Sequence, residues 1–462
     1  MTTQVASSKG PIIVVTPPPT PNGRLHIGHV AGPYLRADLF TRLTRFLSKQ
    51  EIYHVSHIDT YQSYVPKKAR QLGLSANELM KENTSGIKED FKSYGIHHDL
   101  FIDNESAEYL SFLDSAVRYS IKHLDISETG AKFCNSCETP LFESNLKGHC
   151  QHCFHDCYQN VCENCSLPQE QHSLLFPTCE VCGGSESHVS DSKIEQRLVI
   201  SQNAIDSTIE KMFTQCSGNR RLTSMFRSLR PHEIGLSFST DYGVFPSALK
   251  GAMNAWVEIY FAHFYSVLKI CGINTGHGFE EAIAEFRKLL NAPRIVNFFG
   301  VDNSYYYAFL FPYISEKLGI PAMIPVATKA SYFLQLNNAK ISSSRNNVIW
   351  AKELRATGRL EELRTNLAFS CPEFSPRNYG TTATRMPDVE ENSTSVALDD
   401  SASEVVRALR DRLETMLEPL DFSVEGLMNA LDKWNAYSSH GKRETDEVKQ
   451  FLMQLANHLS IA

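Results

Sequence analysis

The stretch PIIVVTPPPTPNGRLHIGH (11–29) constrains the fold of this chain more than any other. A continuous apolar run, Ile12 to Val15, reads as a short strand buried on both faces of a parallel sheet. Three prolines and an Asn22-Gly23 turn come next, then His26 and His29, then leucines at 35, 39, 43 and 47, a spacing that predicts a helix. Strand, phosphate-sized turn and helix open a mononucleotide-binding unit. The free N–H groups and dipole at a helix start attract anions. Two imidazoles three residues apart can face one point there, which suits attack at the α-phosphate of ATP, where charge develops on oxygens. A second run, IYHVSHID (52–59), ends in Asp59, where ligands of open α/β sheets sit.

The remaining pattern divides the chain into a first catalytic half (1–124), an insertion (125–235), a second catalytic half (236–328), a stem segment (329–380), a linker (381–403) and a helical tail (404–462). The second half carries Trp256-Val257, IVNFFGVDN (295–303) and PAMIPVAT (321–328); in the tail, Val406, Leu409, Leu413, Met416 and Leu420 form one face. No stretch approaches the roughly 18–20 apolar residues of a membrane span. The N-terminus lacks the apolar core of a secretory signal, so the expected location is cytoplasmic, with no membrane partner. With a formal net charge of −7, no global basic field advertises nucleic-acid binding, and the cluster Lys211, Arg220, Arg221, Arg227 and Arg230 reads as a solvated face.

Twelve cysteines are present, and eight form four C-x-x-C pairs: Cys134 and Cys137, Cys150 and Cys153, Cys162 and Cys165, Cys179 and Cys182. Without a secretory signal, this pattern reads as metal binding rather than disulfides. Eight thiolates suffice for two tetrahedral Zn²⁺ sites of a closed, structural kind, with Cys157, His149, His152 and His155 near enough to compete.

P-N-G-x-L-H-I-G-H resembles the signature of class I aminoacyl-tRNA synthetases, and the chain over roughly residues 11–375 resembles their methionyl-tRNA synthetase branch. A second motif, Lys340-Ile341-Ser342-Ser343-Ser344 with Arg345-Asn346-Asn347-Val348, is similar to the family's K-M-S-K-S-R-G-N-V. The resemblance implies an α/β, Rossmann-like (HUP-type) catalytic domain with a zinc-knuckle insertion and a short C-terminal helical tail. It implies catalysis by His26, His29 and Lys340, and ATP binding by Asn22, Gly23, Gly28, Ser342 and Arg345 together with those three. Mg²⁺ is expected on the pyrophosphate. The implied amino-acid site is Pro18, Thr20, Asp59 (for the α-ammonium), Trp256, Tyr260, His263, Asp302 and Tyr307. The implied zinc pairing is nested: 150, 153, 162 and 165 around one ion; 134, 137, 179 and 182 around the other.

Departures from the family set the remaining expectations. Thr20, Tyr260, His263 and Tyr307 replace the fitted apolar-aromatic wall a thioether needs, which argues for another side chain or a second polar substrate. Ser343 stands where the family has its second lysine, and few residues follow Ser344 for an anticodon-reading domain. The reading is therefore an aminoacyl-adenylate-forming ligase whose acceptor is not tRNA but a small amine, a hydroxylamine or a carrier protein, as in hydrazine biosynthesis. A methionine–tRNA ligase and a non-catalytic binding module are the alternatives.

Overall fold

The computed structural model describes residues 10–48, 50–169, 173–216, 219–341, 347–380, 403–438 and 443–461. Its centre is a five-stranded parallel sheet: β1 (Ile12–Val15), β2 (Ile52–Ser56), β3 (Leu100–Phe101), β4 (Arg294–Gly300) and β5 (Ala327–Ser331), in the spatial order β5-β4-β1-β2-β3. The apolar run predicted as the first strand lies in the middle, and both its faces are covered. Because alternate side chains leave a strand on opposite faces, Ile13 and Val15 join one hydrophobic core while Ile12 and Val14 join the other.

The chain leaves β1 for β2 on one side and returns through β4 on the other. This reversal makes a crevice at the carboxyl ends of the strands, the usual ligand position in such sheets. The four-spaced leucines form α1 (Leu35–Leu47) as expected, although the helical run already starts at Ile27. It is kinked over Val30–Tyr34, where Pro33 has no N–H to continue the ladder. Asp59 lies beyond the end of β2, in the loop.

The insertion adds two antiparallel sheets. Ser187–Ile200 pairs with Ile126–Cys134 and His232–Gly235; Leu146–His149 pairs with Asp156–Tyr158 and Leu175–Cys179. The helix α2 (Ala255–Ile270), which carries Trp256, is apolar nearly all round and packs in the core with Ile13 and Val15. Such a helix is buried on all sides.

The tail folds as α3 (Glu404–Thr415), α4 (Val424–Ser438) and α5 (Arg443–Leu459). Leu413, Met428 and Leu455 bury against the core that holds Leu39 and Leu43 of α1. Leu420 departs from its expected place: it lies beyond α3 and is exposed, while Val406 and Leu413 are buried. Buried ion pairs join α1 to the segment that precedes the tail, with Arg36 Nη2 2.7 Å from Glu373 Oε1 and Arg364 Nη2 2.6 Å from Asp38 Oδ2. Most of the expected linker, 381–402, is outside the described residues. No helix among the described residues is long and apolar enough to cross a membrane.

Candidate active site

His26 caps the helical run, and its ring lies flat on that of His29, with centroids 3.6 Å apart and planes 11° apart. Each backbone N–H donates to the other's ring: His26 N to His29 Nδ1 and His29 N to His26 Nδ1, both 3.3 Å. With Nδ1 occupied as an acceptor on both rings, the neutral tautomer carries its proton on Nε2. Burial and then the charge of Lys340 push His26 down to about 4. His29 is also held well below the ordinary range, by burial and then by His26 and Lys340; its surface is exposed, but dense protein surrounds the ring. Two neutral N–H donors therefore face the same region.

Glycine at 28 leaves room for this stack, since a Cβ there would crowd the His26 ring at 3.1 Å. At Gly23 a Cβ would meet no protein atom within 4 Å, so that turn, with Asn22, presents an open face. Behind it, Arg24 grips Asp90 through two nitrogens (2.9 and 2.6 Å). Asp90 also accepts from the Leu25 N–H at 3.2 Å, which fixes the loop to the helix Ala76–Ser93.

The second motif converges on the first. Ile27 N donates to Ile349 O and Ala351 N to Leu25 O, so the strand-like segment around Trp350 is stitched to the histidine loop. Lys340 ends a hairpin, Leu334–Leu336 with Ala339–Lys340, whose turn residues Asn337 and Asn338 both take left-handed φ (53° and 62°). Asparagine tolerates that conformation, and the paired left-handed turn suits strand twist. The hairpin brings Lys340 close enough to both histidines for its charge to act on them. Its Nζ sits 3.7 Å from the centroid of Phe333 and donates to Glu163 Oε2 at 2.7 Å. Ser342 and Arg345, also expected at ATP, lie outside the described residues.

Asp59 is buried beside the prolines, its N–H donating to Pro19 O (3.1 Å) and its Oδ2 accepting from Thr20 Oγ1 (2.7 Å). Its Oδ1 has no partner, and burial pushes its pKa well above the carboxylate range. Pro18 is buried next to it in sequence. His263 Nε2 bonds Tyr307 Oη at 2.9 Å, and Tyr307 lies near enough to Asp59 to feel its charge. Trp256 stacks on Tyr306, centroids 3.7 Å apart and planes 3° apart. Asp302 follows β4 in a short turn, within electrostatic reach of Lys340 and Arg221. Tyr260 shares the Phe311 ring with Tyr307 and His263, and its hydroxyl pairs with Ser315 Oγ at 3.1 Å inside the core.

Sequence reading missed His57, Gln62, Glu163 and Glu258. His57 and Glu258 are fully buried, and His57 Nδ1 and Nε2, Gln62 Oε1 and Glu258 Oε2 are all unpartnered. The only local signal for His57 was its position two residues before Asp59. The basic cluster also proves partly structural: Lys211 pairs with Glu316, and Arg221 Nε donates to Ser166 Oγ at 3.0 Å.

The cysteines gather as two sets, Cys134, Cys137, Cys179 and Cys182, and Cys150, Cys153, Cys162 and Cys165, with the sulfurs of each set within 4.8 Å of one another. Four such sulfurs from two knuckles suit a tetrahedral soft-metal site. The fifth thiol of the inner region, Cys157, lies within hydrogen-bonding reach of Cys150 and Cys162. Histidines 149 and 152 point elsewhere, to Asp156 and Gln151.

The family described as tRNA synthetases class I (M) matches residues 12–386. The methionine–tRNA ligase of Methanococcus vannielii is 24% identical over 367 residues, which is 76% of this chain and 52% of that protein. That of Methanopyrus kandleri is 24% identical over 375 residues, 79% of this chain and 54% of that protein. The chain thus spans about half the length of the curated relatives it matches. A solved Mycobacterium tuberculosis methionyl-tRNA synthetase in complex with methionyl-adenylate superimposes with a TM-score of 0.62 at 16% identity, over 98% of this chain and 89% of that one. That likeness concerns the fold, and it takes in the helical tail.

Proposed function

Since the chain belongs to the class I tRNA synthetase family, we propose that it activates an amino acid with ATP to an aminoacyl adenylate and passes the aminoacyl group to an acceptor. One observation carries this reading: the Nε2–H groups of His26 and His29 and the ammonium of Lys340 converge although they come from opposite ends of the catalytic region. The amino-acid carboxylate attacks the α-phosphorus and pyrophosphate leaves. The two imidazoles donate to oxygens on which negative charge grows, without a proton transfer. Lys340, exchanging Glu163 for phosphate, neutralises the leaving pyrophosphate, with Mg²⁺ as the nucleotide's counter-ion. Asp59 takes the α-ammonium. Its unpartnered oxygen supports that role, because a buried carboxylate without a cation is costly and a substrate ammonium supplies one. Zn²⁺ on the two thiolate sets would hold the insertion together and take no part in the chemistry.

The names of the matched relatives support tRNA as the acceptor better than a small amine, a hydroxylamine or a carrier protein. The second reading, a non-tRNA acceptor, is favoured by the tail surface, where basic residues are offset by acids, as in the 2.7 Å Arg410–Glu414 pair, instead of forming a stripe. Amino-acid-dependent ATP–pyrophosphate exchange tests the activation step, and no exchange with any common amino acid would return the chain to a binding module. Charging of total tRNA with the activated amino acid then tests the acceptor. A rate within about tenfold of a working synthetase supports tRNA; no charging, with exchange intact, supports the second reading.

A further inference from the structure

We propose that the buried group His57, His263 and Tyr307 selects an amino acid whose side chain is uncharged and both donates and accepts hydrogen bonds, a hydroxyl or a carboxamide, rather than a thioether. This rests on the reading that Asp59 holds the α-ammonium, and it places the side chain next to that carboxylate, on the side of Tyr307, which feels the Asp59 charge. His57 is fully buried with both ring nitrogens unpartnered, and His263, 3% exposed, leaves Nδ1 unpartnered. The two rings meet edge to face at 5.2 Å. His263 is fixed by its 2.9 Å bond to Tyr307, and Tyr307 is in turn stacked on Phe299 at 5.0 Å and packed edge-on to Phe311 at 4.9 Å. The group is held rigidly by aromatic walls, and three nitrogens remain open.

Burial keeps both rings neutral, with His263 pushed down to about 3 and His57 held well below its ordinary range. A neutral imidazole has one N–H donor and one acceptor nitrogen. Between them, the three open nitrogens of this pair include at least one donor and one acceptor. A thioether sulfur is a weak acceptor with no proton to give, so methionine would leave a buried acceptor unmet. A hydroxyl or carboxamide meets both. A side-chain carboxylate would enter beside Asp59, and a side-chain cation would find neutral rings instead of a second acid. Sites built to hydrogen-bond their substrate reject an analogue lacking the group by about 10⁴–10⁵, whereas apolar pockets discriminate far less.

The test is ATP–pyrophosphate exchange by the full chain with each of the twenty common amino acids and homoserine. The expected result is a kcat/KM for serine, threonine, homoserine, asparagine or glutamine at least about 100-fold above that for methionine. His263→Phe should then narrow that ratio by about tenfold or more while KM for ATP stays the same. Preference for methionine would overturn the inference and leave the activation reading standing, as would preference for another apolar or a charged amino acid. Exchange with none would overturn both. His263→Phe protein that folds, by its circular dichroism, and keeps the wild-type ratio would also overturn the assignment to this pair.

Discussion

Lys340 of the second motif is held at 2.7 Å by Glu163, a residue that lies between two thiols of the inner cysteine set, Cys162 and Cys165. The insertion thus touches the lysine of the second motif directly. Both partners are partly exposed, and such a pair contributes less than about 1 kcal/mol. Glu163→Gln should free Lys340 for phosphate and lower KM for ATP by up to about fivefold, leaving KM for the amino acid unchanged. Exchange kinetics at varied ATP and varied amino acid will separate the two constants.

His29→Ala should lower the rate of adenylate formation by about 10²–10³, the usual loss of one transition-state donor, with little change in amino-acid affinity. Asp59→Ala should weaken amino-acid binding first. Pre-steady-state adenylate formation over a range of amino-acid concentrations distinguishes these; equal effects on affinity would show the roles misassigned.

Metal analysis of protein purified without chelator should find about two zinc ions per chain. Cys137→Ser should reduce the content to about one, because three thiolates cannot close a four-ligand site. Cys157→Ser should keep about two, since Cys157 lies outside both four-sulfur sets despite its closeness to Cys150. Zinc lost equally from both variants would mean that the ligand sets are drawn wrongly.

Glu373 ties three segments: it pairs with Arg36 of α1 and accepts from Ser423 Oγ (2.9 Å) and Glu425 N (3.0 Å) at the start of α4. Glu373→Ala leaves Arg36 buried without its partner and should cost about 3–5 kcal/mol. The melting temperature, and protease sensitivity of the tail, report this loss; an unchanged melting temperature would contradict it.

Acid should destabilise the fold well before ordinary carboxylates titrate. Burial, as the first cause, holds His26, His29, His54, His57, His98 and His263 below their ordinary range, His26 to about 4 and His54 and His263 to about 3. Unfolding returns them to about 6.5, so below that pH the unfolded chain binds more protons and stability falls as pH falls. Glu143 and Glu258, raised by burial to about 7, act the other way: their contribution is present at low pH and is lost as pH rises through about 7. Asp59, Asp302, Glu105 and Glu195, also raised by burial, act in the same sense as these two, while His232 and His458, lowered by burial, join the six histidines, so eight groups stand against six. The melting temperature should fall between pH 7 and pH 5, and a rise over that interval would refute the balance.

The local code of this chain was legible. A β-branched run needs burial on both faces, leucines at four-residue spacing need a helix, and C-x-x-C pairs need a soft metal or an oxidant; each constraint acts within a few residues. The two family motifs were legible for the same reason, since each resides in a short stretch. The tertiary structure alone decided what distant segments do to one another. It placed β1 at the centre of the sheet, stitched residues 349–351 to the histidine loop, set Glu163 on Lys340 and turned Tyr260 into the core. It also buried His57 against His263 with three of their four ring nitrogens open, a relationship invisible in a sequence where the two stand far apart. Whether a polar atom is satisfied depends on which segments close around it, and that is a property of packing rather than of residue type.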